Sequence, residues 1–109
     1  MLIDFSAIPE TVIPHMRGGE KEVHAHMFTD AMGKVMQGRL PAGASIGLHT
    51  HETNCEVLYV LAGTGKVLCD GVYELLGPGS CHYCPKGHAH SLINDSDGDL
   101  VFFAVVPEQ

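Results

Sequence analysis

A chain of 109 residues with 13 acidic and 6 basic side chains, a formal net charge of −7, lacks the basic surface needed to track the phosphates of DNA or RNA. Hydrophobic residues make up 45% of it, with no apolar run long enough to span a bilayer and no basic amphipathic stretch, so it reads as one globular domain whose partner is a small molecule, with no nucleic-acid or membrane contact. The opening MLIDFSAIPE has neither a basic leader nor a sustained apolar segment, which predicts a cytoplasmic location.

Thirteen glycines and six prolines cut the chain into short segments rich in Val, Leu, Ile, Tyr and Phe, the composition of an all-β protein. Pro9 and Pro14 predict an extended N-terminal arm over residues 1–21, leading into a single barrel over 22–109. Strands are predicted at 22–28, 34–40, 44–51, 56–61, 65–69, 72–76, 80–84, 88–93 and 100–106. In the first of these, His24 and His26 have no acidic partner at a matching distance and read as the decoration of an edge strand. Gln37 and Arg39 alternate with Met36, Gly38 and Leu40; the pair is a candidate for substrate contact if its face is luminal, and an exposed face explains it equally well. Met27, Met32 and Met36 read as gap-fillers or interface residues.

Asp70-Gly71, between GKVLC and VYELL, signals a tight type I′ hairpin. NDSDGDL superficially resembles a calcium loop, but Gly98 is out of phase and Val106 stands where a twelfth-position Glu is required, so a hairpin turn is expected. Both faces of EVLYVLAG and LVFFAVV are apolar, whereas a strand with one wet face alternates. Something must cover the outer face, and a second copy of the chain, making a homodimer, is the economical candidate. Cys55, Cys69, Cys81 and Cys84 are expected as reduced, packed thiols. Cys81-His82-Tyr83-Cys84 resembles half a zinc knuckle, yet on a strand its two sulfurs point to opposite faces.

The chemistry concentrates in GLHTHETNCEVLYVLAG. On a helix the rings of His49 and His51 would diverge by about 200°, but on a strand they share a face. Glu56 follows after ETNC, enough chain for a turn or bulge that returns its side chain to the same spot. Glu52, the neighbour of His51, should face away and is taken as surface. Downstream, Pro85 and Gly87 break the chain before a strand that carries His88 and His90 on one face.

GASIGLHTHETNCEVLYVLAG (43–63) is similar to the first cupin motif, G(x)5HxH(x)3,4E(x)6G, at every fixed position. GSCHYCPKGHAHSLIN (79–94) resembles the second, G(x)5PxG(x)2H(x)3N, again without departure. The resemblance implies a double-stranded β-helix (jelly-roll) barrel with metal ligands at His49, His51, Glu56 and His90. Three imidazoles and a carboxylate suit one divalent transition metal, among Mn, Fe, Co, Ni, Cu and Zn, better than calcium or magnesium. His88 is left as a solvated turn residue or a substrate contact at the rim. No residue outside the ligand set is a recognisable acid, base or nucleophile, so the catalytic residues are open. The leading expectation is a metalloenzyme, dioxygenase- or isomerase-like, acting on a small oxygenated or carbonyl-bearing metabolite. The alternative is a non-catalytic module that holds a sugar or carboxylate through a metal anchor.

Overall fold

Inward and outward positions alternate along the longest strands, and that alternation builds the molecule. The computed structural model describes residues 1–109 as ten strands: β1 (Thr11–Pro14), β2 (Glu22–Asp30), β3 (Gly33–Leu40), β4 (His49–Thr50), β5 (Glu56–Ala62), β6 (Gly65–Cys69), β7 (Val72–Leu76), β8 (Cys81–Cys84), β9 (Ala89–Ile93) and β10 (Leu100–Pro107). They form a six-stranded sheet in the order β1-β2-β3-β10-β5-β8 and a four-stranded sheet in the order β4-β9-β6-β7, with every pairing antiparallel. Val23, Leu40, Leu58, Val60, Leu100 and Phe102 meet in the core between the sheets, each no more than 1% exposed. Burial of side chains of this size contributes about 1.5–3 kcal/mol apiece. Together the two sheets make the all-β jelly-roll architecture expected of the two motifs. No helix is long and apolar enough to cross a membrane.

Close approach explains two glycines. Gly38 on β3 is the register partner of Phe102 on β10, and a Cβ there would lie 2.6 Å from the Phe102 ring, so the bare backbone is what lets the ring lie across the sheet. At the β6–β7 hairpin, Asp70 and Gly71 take φ of 51° and 80°, the two positive values that a type I′ turn requires.

Several expectations need correction. Residues 44–51 are not one continuous strand: only His49–Thr50 pair regularly with β9, and Ser45 makes an isolated bridge to Ile93. The interruption has a cause, since Ser45 N–H donates to the Glu20 carbonyl and Gly47 N–H to the Met16 carbonyl, diverting this segment to the N-terminal region. That region, expected as an extended arm, contributes the extended strand β1, which pairs with β2. β1 covers that side of β2 only over Glu22–Ala25, and His24 and His26 are held on the outer side of β2 by Glu10, with His24 Nδ1 3.0 Å from Glu10 Oε1. The 94–100 segment is not a hairpin turn, because it carries the chain from the four-stranded sheet to the six-stranded one. Asn94, 1% exposed, fastens it by donating to the carbonyls of Leu40, Pro41 and Gly98. Met36 is buried and Met27 packs on the core, whereas Met32 is exposed. Cys81 is exposed and Cys84 buried, as strand geometry demands, and no cysteine is disulfide-bonded. Burial pushes the Cys84 thiol up to about 12. Cys81 is thus not a packed thiol.

Candidate metal centre

Four side chains from separate parts of the chain meet at the base of a cavity of about 420 Å³. β4 brings His49, and the residue just beyond its end is His51. Glu56 is the first residue of β5, and His90 sits on β9 opposite His49 in register. Their donor atoms all lie within 4.8 Å of one another. His51, Glu56 and His90 are buried, at 7%, 7% and 2% exposure, and His49 is half-buried.

The hydrogen bonds behind the rings decide which nitrogens face inward. His49 Nδ1–H donates to the Gly47 carbonyl at 2.8 Å, and His51 Nδ1–H donates to Asn54 Oδ1. Asn54 is itself oriented, because its Nδ2 donates to Glu108 Oε1 at 3.2 Å. His90 Nδ1 lies 2.9 Å from His82 Nε2. With each Nδ1 so engaged, each Nε2 is left to point at the common centre, the arrangement seen where outer partners fix the tautomer of metal-binding histidines.

Distances agree with that chemistry. His51 Nε2 and His90 Nε2 are 3.0 Å apart, and they stand 3.1 Å and 2.9 Å from Glu56 Oε1. Two neighbouring ligands at right angles, each about 2.1 Å from one ion, are separated by roughly 3.0 Å. The donor set therefore fits a divalent ion. A proton competes for the same place, since hydrogen bonding to Glu56 raises the pKa of His51. Burial alone would push the Glu56 carboxyl up, but hydrogen bonds from His51 and His90 hold it down at about 2. Burial lowers the pKa of His49 and of His82, which favours their neutral forms.

The other candidates from the sequence lie elsewhere. Gln37 and Arg39 fall on the outer face of β3, because Met36, Gly38 and Leu40 take the inward positions. Arg39 pairs there with Glu10 and Asp99, so neither residue reaches the lumen. His88 is exposed and pairs with Asp70 at the β6–β7 turn, outside the cavity. Glu52 is exposed at the cavity rim.

His82 and Asn54 were not legible as part of the site. His82 had one available signal: it lies two residues before Cys84 on a short strand, so both point inward while Cys81 and Tyr83 face out. Asn54 sits in the loop before β5, where no periodicity reports direction.

Fold and donor set together define a small antiparallel β-barrel with a three-histidine, one-glutamate group able to hold a metal ion. The cupin domain model matches residues 36–106, and the chain belongs to the cupin family. It is 35% identical over 112 residues to the oxalate-binding protein of Thermotoga maritima, across 97% of this chain and 93% of that protein. The crystal structure of a predicted oxalate decarboxylase from Thermotoga maritima superposes with a TM-score of 0.93 at 30% identity, covering 100% of both chains. The polyketide cyclase RemF from Streptomyces resistomycificus shares the fold, with a TM-score of 0.81 at 20% identity over 98% of this chain and 78% of that one.

Proposed function

We propose that this chain is a metal-dependent binder of a small carboxylate, with oxalate the first candidate. The observation that carries the reading is the convergence of three imidazole Nε2 atoms and the Glu56 carboxylate at the base of an open cavity. His49, His51, Glu56 and His90 would hold one ion of Mn, Fe, Co, Ni, Cu or Zn. Such an ion supplies Lewis acidity and coordination positions for a ligand with neighbouring oxygens. Its charge exceeds that of the lone Glu56 carboxylate by one unit, so the centre favours an anion. The oxalate-binding relative, similar along nearly its whole length, supports the same ligand class.

Within the cavity, Met36, Ile46, Leu58 and Leu92 exclude water from one side of the centre, while Thr29, Lys34, Thr50 and Thr53 line it with polar groups. Apart from Glu56, the carboxylates that line it are Asp30, Glu52 and Glu108, all exposed. No buried acid stands ready to deliver a proton to a bound ligand. That favours retention over turnover, and so favours the binding module over the enzyme expected first. Turnover is the second reading, supported by a cavity with room beyond a two-carbon dianion.

Calorimetry on Mn²⁺- or Co²⁺-loaded protein tests the proposal. Oxalate is expected to bind one to one with a Kd below about 1 mM, equivalent to about −4 kcal/mol, and metal-stripped protein is expected to show no heat. Equal binding with and without metal would sink it, and release of carbon dioxide or formate from oxalate would favour the second reading.

The proposal includes a homodimer. Val57, Tyr59, Leu61 and Tyr83 form an exposed apolar strip on the outer face of β5 and β8, each at least 38% exposed. Phe5 of the N-terminal segment packs on Phe103 of β10 beside it, at 6.1 Å between ring centroids, and leaves the strip uncovered.

A further inference from the structure

Arg17 has no place in either sequence motif, yet it lines the same cavity as His49, His51, Glu56 and His90. Its backbone is in the left-handed region, at φ 55° and ψ 27°, as are those of His15 and Lys21 in the same segment, at φ 49° and 55°. The surrounding chain enforces it. Gly47 N–H donates to the Met16 carbonyl at 3.0 Å, and Gly18 N–H donates to the His15 carbonyl at 2.9 Å. Two glycines make the contact possible: a Cβ on Gly47 would lie 2.0 Å from the Arg17 carbonyl oxygen, and one on Gly19 would lie 2.0 Å from that of Ser45. The Met16–Gly18 turn is thus pressed against the backbone that carries His49, whose ring is anchored on the Gly47 carbonyl.

Of the six basic side chains, two pair with carboxylates and four, Arg17, Lys21, Lys34 and Lys86, do not. Arg39 has Glu10 and Asp99, and Lys66 has Asp95. Arg17 makes no ion pair with any carboxylate of the chain, although Glu52 and Glu108 line the same cavity. A planar guanidinium with five donors matches a carboxylate in a way that the flexible Lys34 ammonium does not.

We propose that Arg17 is the specificity-determining residue of this site, pairing with carboxylate oxygens of a small organic dianion whose other oxygens face the His49, His51, Glu56 and His90 donors. The inference rests on the carboxylate-binding reading above and narrows it to ligands that carry a second anionic group. A monoanion such as glycolate satisfies the donor group but leaves Arg17 with less to hold.

Arg17→Asn, Arg17→Lys and Lys34→Gln separate the alternatives, because Asn tolerates the left-handed region and keeps the turn in place. With Mn²⁺-loaded protein, Arg17→Asn is expected to weaken oxalate binding by about tenfold or more and glycolate binding by no more than about twofold. Arg17→Lys should lie between it and wild type, and elemental analysis should find unchanged metal in every variant. Oxalate affinity within about twofold of wild type in Arg17→Asn, or a larger loss in Lys34→Gln, would overturn the inference while leaving the carboxylate-binding reading intact. Loss of metal from Arg17→Asn would also overturn it, by showing that the residue acts on the donor group. Failure of wild type to bind oxalate would instead overturn the underlying reading, and this inference with it.

Discussion

Glu56→Gln is expected to abolish stoichiometric metal while the barrel stays folded. The change is nearly isosteric at a residue 7% exposed, so it opens no cavity, but it removes the only negative charge among the four donors. Loss of an outer-shell partner alone weakens metal binding about 10–100-fold, so loss of a charged donor should exceed that range. Elemental analysis after dialysis, beside circular dichroism, reads both halves of the expectation. A folded Glu56→Gln protein with one ion per chain would refute the assignment. The same site predicts a pH dependence in wild type. Because hydrogen bonding to Glu56 raises the pKa of His51, a proton occupies His51 below that value and must leave before the ion binds. Apparent affinity should therefore fall by about tenfold per pH unit as pH drops through the raised pKa, and level off above it. His49, whose pKa burial lowers, adds no further proton near neutrality. Isothermal titration in two buffers of different ionisation enthalpy counts the proton released.

Phe102→Ala should destabilise the protein by about 3–5 kcal/mol, a large share of the roughly 5–15 kcal/mol available to a domain of this kind. Phe102 is fully buried near the start of β10, which runs between β3 and β5, and its ring lies against Gly38. No neighbour can collapse into the space without moving the sheet. The converse change, Gly38→Ala, drives a Cβ to 2.6 Å from the ring and should also destabilise. Combining Gly38→Ala with Phe102→Leu should recover part of that loss, because the smaller side chain makes room for the methyl group. Urea denaturation of the four proteins gives the coupling, and strict additivity would show that the two residues do not share one packing site.

Much of this architecture was written in local pattern. The segments 65–69 and 72–76 coincide with β6 and β7, and Asp70-Gly71 with the turn between them, because a type I′ hairpin depends on two adjacent residues and on strands that alternate beside them. The four candidate ligands were legible through the resemblance to the two cupin motifs, with HxH spacing placing His49 and His51 on one strand face. Other features depend on partners distant in sequence. Residues 44–51 lost their continuous ladder to Glu20 and Met16, and the 94–100 segment changed sheets under the hold of Asn94 on Leu40 and Pro41. Gln37 and Arg39 alternated as any strand pair does, and only the packing of Met36 and Leu40 into the core decided that they face outward.

Taken alone, the amino-acid order carried the all-β class and the central hairpin, which are matters of residue type and short-range periodicity, and its resemblance to the two cupin motifs singled out His49, His51, Glu56 and His90 as candidate ligands. Tertiary structure alone decided that β1 covers the edge of β2, that Asn54 and His82 stand behind the rings of His51 and His90, and that Arg17 lines the cavity. Those contacts join segments through space, and a period of two residues carries information about which face a side chain takes but none about what the chain will bring to meet it.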